Sequence, residues 1–275
     1  MSDIENQQPR DHTLAVDNDP IAIHDDSAEI LKVHTDGEYI QFGNERYLRS
    51  ELVQAFGGTL NPGLSPPPKH DFANPAPLGL CGFALTTFVL SLINVEARGV
   101  KIPNIVVGLA YFYGGLAQLV AGMFEIAVGN TFGGAALSSY GAFWGTWAAI
   151  YTPSFGIQDA YKDKETGVLD KRMFSNAVGI YLIGWFIFTF FMMLMTLKST
   201  LAFFLVFFFL SITFLLLAIA EFKTNGTAVK KAAGVFGLLT AFAAWYNAYA
   251  GIANEQNSYI TIKALPLPDL QNRGK

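Results

Sequence analysis

Between residues 74 and 253 the chain is a succession of long apolar runs, almost free of charge, separated by short polar interruptions. A run of about 20 predominantly apolar residues reaches across a hydrocarbon core, and soluble domains rarely need several such runs in succession. The pattern predicts six membrane-spanning helices, over residues 77–95, 105–128, 132–151, 174–196, 201–220 and 231–253. The expected fold class is therefore an all-α membrane protein with six transmembrane helices per subunit and a disordered acidic N-terminal tail. Only Gly129 and Asn130 interrupt the second and third runs, with Thr131 as the expected N-cap, so these two helices must be antiparallel neighbours. The longest connection lies between the third and fourth runs. It carries Pro153, Asp159, Lys162, Asp163, Lys164, Glu165, Asp170, Lys171 and Arg172, a set that only an aqueous segment accepts.

Charge divides the chain differently. Residues 1–70 hold twelve acids against five bases, a net charge of −7, while the whole chain carries −4. So polar and acidic a segment buries too little surface to offset its chain entropy, and residues 1–38 are expected to be disordered. In residues 38–56, Tyr47, Leu48, Leu52 and Phe56 recur at helical spacing, which predicts an amphipathic helix lying on the membrane surface or tethered to the bundle. Ser27, in an acidic context, is a candidate phosphate acceptor. The domain expectation is an acidic cytosolic tail over 1–70, a transport domain over 71–256 and a short C-terminal tail over 257–275. No apolar segment behind basic residues marks the tail as a cleaved signal peptide.

Topology rules conflict. An even number of spans puts both termini on one side, and a polar tail of this length is most easily left in the cytosol. The connections that would then be external nevertheless hold Arg98, Lys101, Lys162, Lys164, Lys171, Arg172, Lys223, Lys230 and Lys231, against the usual preference for positive loops inside. Weighing the tail more heavily gives two cytosolic termini.

Catalysis and metal binding find little support. All four histidines (His12, His24, His34 and His70) fall in or beside the tail, and the one cysteine, Cys81, has no partner for a disulfide. Hydrolase, zinc-helix and nucleotide-loop motifs are missing from the sequence, so neither an enzyme nor a cofactor or metal is expected, and nucleic acid is not an expected partner. What the spans do carry is polar groups at helical repeat. Tyr111, Gln118 and Glu125 stand seven apart in the second span, as do Gly108, Gly115 and Gly122, and Gly141 and Gly145 repeat in the third. Seven residues are about two turns, so each set forms a stripe, glycines for close helix approach and polar groups for interhelical hydrogen bonds or a water-accessible path. Asn74, Thr86 and Thr87 add candidate path groups at the first span, with Glu125 near the end of its helix. A path lined by uncharged groups suits a small polar solute or weak acid better than a bare ion.

At these residues the sequence resembles the acetate uptake transporters of fungi and bacteria, which include the bacterial succinate–acetate permease. The resemblance rests on NPAPLGLCGF from Asn74, FYGGLAQLVAGMFE from Phe112, GNTFGGAALSSYGAFW from Gly129, TLK at Thr196 and LLLAIAE from Leu215. The helix-start motif comprises Asn74, Pro75, Ala76, Pro77, Leu78, Gly79 and Leu80, and FGGTLNPG from Phe56 points to the fungal branch. The resemblance implies a plasma-membrane homo-hexamer in contact with membrane lipid, each subunit holding its own pathway for acetate, with propionate, formate, lactate and succinate as further candidates. It also implies a pore constriction built by Phe83, Tyr140 and Leu210. An apolar ring strips water from an ionised carboxylate at a cost of several kcal/mol, so the solute should pass as the neutral acid or with a proton. An ammonia or small-amide channel and an acetate-responsive sensor are the rival expectations.

Overall fold

The computed structural model describes residues 33–36, 38–42, 45–51, 72–262 and 265–268. The chain divides into two units, Met1–His70 and Asp71–Lys275.

In the first unit β1 (Val33–Asp36), β2 (Tyr39–Phe42) and β3 (Glu45–Leu48) form an antiparallel meander, with Asp36 paired to Tyr39 and Phe42 to Glu45 across its two turns. Among the described residues, the helix expected over 38–56 is thus replaced by strands up to Leu48, with Arg49–Glu51 helical, and part of the disorder expected up to residue 38 by a strand at Val33–Asp36. The physical reason is local. In the sequence, glycines at 37 and 43 separate runs in which Tyr39, Ile40, Phe42 and Tyr47 are strand formers. The Arg46 guanidinium lies 4.3 Å from the Tyr39 ring centroid. Residues 1–32 and 52–71, with Ser27 and the FGGTLNPG segment, lie outside the described residues.

The second unit contains six long helical segments among its described residues: α1 (Ala76–Asn94), α2 (Ile105–Ala127), α3 (Thr131–Tyr151), α4 (Lys171–Met195), α5 (Leu201–Phe222) and α6 (Thr227–Ile252). Five are long and apolar enough to cross a membrane; α3, although 21 residues long and free of charge, is diluted by Gly, Ser, Thr and Tyr. Helix α1 lies along α6, α6 along α5, and α5 along α4, while α2 and α3 form a close pair joined to α1.

Local chemistry sets the helix starts. The Asn74 Oδ1 accepts from the Ala76 backbone N at 3.1 Å, Asp170 accepts from the Arg172 and Met173 amides, and Thr200 accepts from the Phe203 amide. Between α2 and α3 the cap is Asn130 rather than the expected Thr131: its Oδ1 accepts from the Gly133 amide at 2.9 Å, and Gly129 turns the chain at φ +86°. Helix α2 is not uniform. A π-helical segment, Phe112–Ala117, interrupts it, and there the Tyr113 carbonyl comes so near α1 that a Cβ on Gly82 would meet it at 2.6 Å.

The glycine stripes are used in part. A Cβ on Gly122 would meet the Ser138 backbone N at 2.4 Å and one on Gly141 the Leu119 backbone N at 2.7 Å, so these two set the α2–α3 approach. Gly108 and Gly145 face open space. The connection after α3 is exposed, as expected, and is folded locally by Asp163, whose Oδ1 accepts from the Glu165 and Thr166 amides and the Thr166 hydroxyl.

Candidate functional site

The seven-residue spacing of Tyr111 and Gln118 suggests one stripe, yet the π segment lies between them and turns them to different neighbours. The Tyr111 hydroxyl donates to Thr152 Oγ1 at 2.9 Å, beyond the end of α3. Gln118 is wholly buried and lines a cavity of about 70 Å³ in the bundle.

That cavity is otherwise almost entirely apolar. Phe83 of α1, Tyr140 of α3 and Leu210 of α5, each 3–4% exposed, form part of its wall, with the Phe83 and Tyr140 ring centroids 5.8 Å apart. The three residues assigned to a constriction on sequence are thus brought to one place from three helices. Neither amide atom of Gln118 has a hydrogen-bond partner among the described residues. A buried, unpaired amide costs roughly 1–3 kcal/mol for each unsatisfied group, and such an atom signals a missing partner. The Tyr140 hydroxyl is already engaged, donating to Thr189 Oγ1 of α4 at 2.9 Å.

One side of the cavity is built from helix starts: Ala76 of α1, Asn130, Phe132 and Gly133 at α3, and Phe203 of α5. Three helix N-termini therefore meet on that side of the cavity. In the opposite direction Phe143 lies one turn beyond Tyr140 on α3 and packs edge-on against Phe214 and Trp185, with centroids 5.1 Å apart in both pairs. Beyond this aromatic layer a second cavity of about 50 Å³ includes Phe143, Tyr181 and Leu217 in its wall.

Residues 56–269 match the sequence profile of the GPR1/FUN34/yaaH family. The chain belongs to this family. Ammonia transport outward protein 2 of Saccharomyces cerevisiae is 59% identical over 87% of this chain and 83% of its own length. Acetate permease A of Emericella nidulans is 53% identical over 80% of this chain and 75% of its own. The solved structure of the bacterial acetate channel SatP superposes with a TM-score of 0.59 at 40% identity, covering 68% of this chain and 96% of that one. The resemblance read from NPAPLGL, YGGLAQ and GNTFG is therefore shown, and these three relatives are named for ammonia transport, as an acetate permease and as an acetate channel.

Not every residue named on sequence reaches the cavity of this family member. Asn74 is exposed and bonds the Ala76 amide in a turn just ahead of α1, with its Nδ2 3.5 Å from the Gly251 carbonyl of α6. Thr86 is buried but donates to the Gly82 carbonyl at 2.8 Å and packs against Gly114, and Thr87 is buried away from the cavity wall. Of the helix-start motif, Ala76 and Leu80 line the cavity, while Pro77 packs at Gly251 and Gly79 at Leu137. Glu125, expected near an interface, is 2% exposed; it accepts from Asn130 Nδ2, and its Oε1 has no partner among the described residues. The sequence reading missed Phe132, Leu137, Phe203, Val206 and Phe207 as lining residues and Thr189 as the partner of Tyr140. The lone hydroxyl in the apolar run around Thr189 was the available signal for the last.

Proposed function

We propose that this protein is a transmembrane pathway for acetate and other small monocarboxylic acids, gated by Phe83, Tyr140 and Leu210. The observation that carries the reading is Gln118: a wholly buried amide with both atoms unpaired, on the wall of a small cavity that is otherwise nearly all apolar. A primary amide offers one acceptor and two donors. A neutral carboxylic acid presents one O–H and one C=O side by side, so it can pair with the Gln118 Oε1 and Nε2 at the same time. A carboxylate has only acceptors and leaves Oε1 unsatisfied. At this position the protonated solute is the better match, and the apolar wall adds the cost of desolvating an anion. At roughly 15 Å³ for each water-sized group, the cavity admits a solute of about five such groups, which suits acetic acid.

The reading extends to six membrane crossings including α3, to both termini in the cytosol of a plasma-membrane protein, and to a homo-hexamer with one pathway per subunit. No bond is made or broken in it, so the protein is not an enzyme. The 59% identical relative named for outward ammonia transport supports a second solute: an uncharged, narrow path also passes ammonia, whose N–H groups the Gln118 oxygen can accept.

Uptake of radiolabelled acetate into proteoliposomes holding the purified chain tests the reading, with and without an inward proton gradient. Accumulation driven by the gradient supports proton-linked transport, equilibration without accumulation supports a channel, and no acetate flux overturns the proposal. Gln118→Leu, which removes the unpaired amide at nearly constant volume, is expected to raise thermal stability while cutting acetate flux at least tenfold. Wild-type flux in that variant removes Gln118 from the pathway.

A further inference from the structure

At the far end of the bundle from Gln118 a polar cavity of about 250 Å³ lies beside the 50 Å³ inner cavity. The two share three residues: Asn94 at the end of α1, Glu221 near the end of α5 and Lys230 in the first turn of α6. Asn94 is 7% exposed and lines both cavities. Lys230 and Glu221 are half-buried and make no ion pair with each other.

The lysine next door is treated differently. Lys231 Nζ lies 2.9 Å from Glu96 Oε2, and Lys101 Nζ lies 4.0 Å from the same oxygen. Glu96 reaches both from a strained turn in which it and Arg98, neither of them glycine, hold φ of 59° and 54°. Consecutive residues on a helix point about 100° apart, so Glu96, which also lines the polar cavity, takes its ion pair from Lys231, while Lys230 lines both cavities. Three lysines against two glutamates give the collar one uncompensated positive charge, next to an amide that lines both cavities.

We propose that Asn94 and Lys230 form a second binding site, which takes the carboxylate group of a small monoanion before it meets the aromatic layer at Phe143. The Lys230 ammonium pairs with the carboxylate and the Asn94 amide donates to it. Glu221, on the same two cavity walls, repels the bound anion and keeps the pairing loose enough for release. The site differs in kind from the Gln118 cavity: it is wet, charged and suited to the anion, whereas the other is dry and suited to the acid. It also gives the positive connections at this end a purpose, the collection of anionic solute, which offsets their poor fit to the usual topology rule. The proposal rests on the reading of the protein as a carboxylic-acid pathway.

The test is the concentration dependence of acetate uptake into proteoliposomes by the wild-type chain, Lys230→Gln, Lys230→Arg and Asn94→Asp. Lys230→Gln is expected to raise KM about fivefold with a near-normal maximal rate, and Lys230→Arg to restore it. Asn94→Asp, isosteric but negative, should raise KM at least as much. Near 1 M salt, where charges are screened within about 3 Å, the Lys230→Gln difference should vanish. Uptake of methylammonium through the same proteoliposomes should not weaken in Lys230→Gln. A wild-type KM in both Lys230→Gln and Asn94→Asp, or a KM increase indifferent to salt, overturns the site. If the wild-type chain passes no acetate, the functional reading fails separately, and binding of ¹³C-acetate to the detergent-solubilised chain decides the site. Loss of binding in Lys230→Gln and Asn94→Asp sustains it, and equal binding in all forms overturns it. Should Lys230→Gln fail to fold, Asn94→Asp carries the same comparisons.

Discussion

Tyr140 and Thr189 join hydroxyl to hydroxyl at 2.9 Å in the interior of the bundle, tying α3 to α4 behind the cavity wall. The bond holds the Tyr140 ring by its polar tip while its face meets Phe83. Tyr140→Phe keeps the ring and removes the donor, so it should lower stability by about 0.5–1.5 kcal/mol without changing which acids are admitted. Thr189→Val should cost a similar amount, and the double variant less than the two together, since both break one bond. Thermal unfolding in detergent and uptake of acids of rising chain length check this. Full additivity in the double variant would show that the pair is not coupled.

Phe83 contributes bulk rather than a bond. Phe83→Ala should admit acids longer than acetate, with propionate and butyrate gaining on acetate by about tenfold in relative uptake, because only steric exclusion is removed. Competition uptake with protein level measured in parallel checks it. An unchanged ratio at normal abundance sinks the assignment of Phe83 to the constriction.

The glycines of α3 divide by what surrounds them. Gly141→Ala drives a methyl against the Leu119 backbone at 2.7 Å, where no flexible side chain can yield, and should cost on the order of 1–3 kcal/mol. Gly145→Ala meets open space and should be neutral or stabilising by up to about 1 kcal/mol. Melting temperatures of the two purified variants decide the matter, and equal losses would contradict the α2–α3 packing described above.

Glu96 makes the protein sensitive to acid at one end. The hydrogen bond from Lys231 holds its carboxyl below the usual carboxylate range, against the opposing effect of partial burial, with the charges of Lys101, Lys231 and Lys230 assisting. A carboxyl lowered by folding stabilises above its unfolded value near 4.3, and that contribution is lost as pH falls through the folded value. Glu96→Gln should therefore be less stable than the wild-type chain at pH 7, and the gap should close below about pH 4. A gap independent of pH would show that the ion pair contributes nothing.

Apolar run length located all six long helices, with α4 and α6 starting three and four residues earlier than hydropathy suggested. The polar residues Lys171, Arg172, Thr227 and Lys230 sit in first turns that hydropathy cannot see as helical. The meander at 33–48 was misread because Tyr47, Leu48, Leu52 and Phe56 satisfy a helical period by coincidence, while the shorter signal of Gly37 and Gly43 between strand formers decided the structure. Phe83, Tyr140 and Leu210 were legible through motif resemblance, and their meeting at one cavity was not, since it depends on how three helices cross. Asn74 looked like a path group because amides at membrane depth need partners; its partners are the Ala76 amide and the end of α6. Glu125 looked shallow because it lies near a helix end, but Asn130 and Gly133 fold over it.

The π segment of α2 ties the chemistry of the pathway to residue count. An α-helix accommodates one more residue only by turning everything beyond it through about 100°. Between Phe112 and Ala117 the surplus is absorbed locally, so the helix has two separately aimed halves, one fastened through Tyr111 to Thr152 and the other presenting Gln118 to the solute. Inserting a residue into the regular turns on either side, where nothing absorbs it, would leave every cavity-lining side chain in the chain and still turn one half of the helix about 100° from its present aim. The spelling of this helix matters, and so does its length.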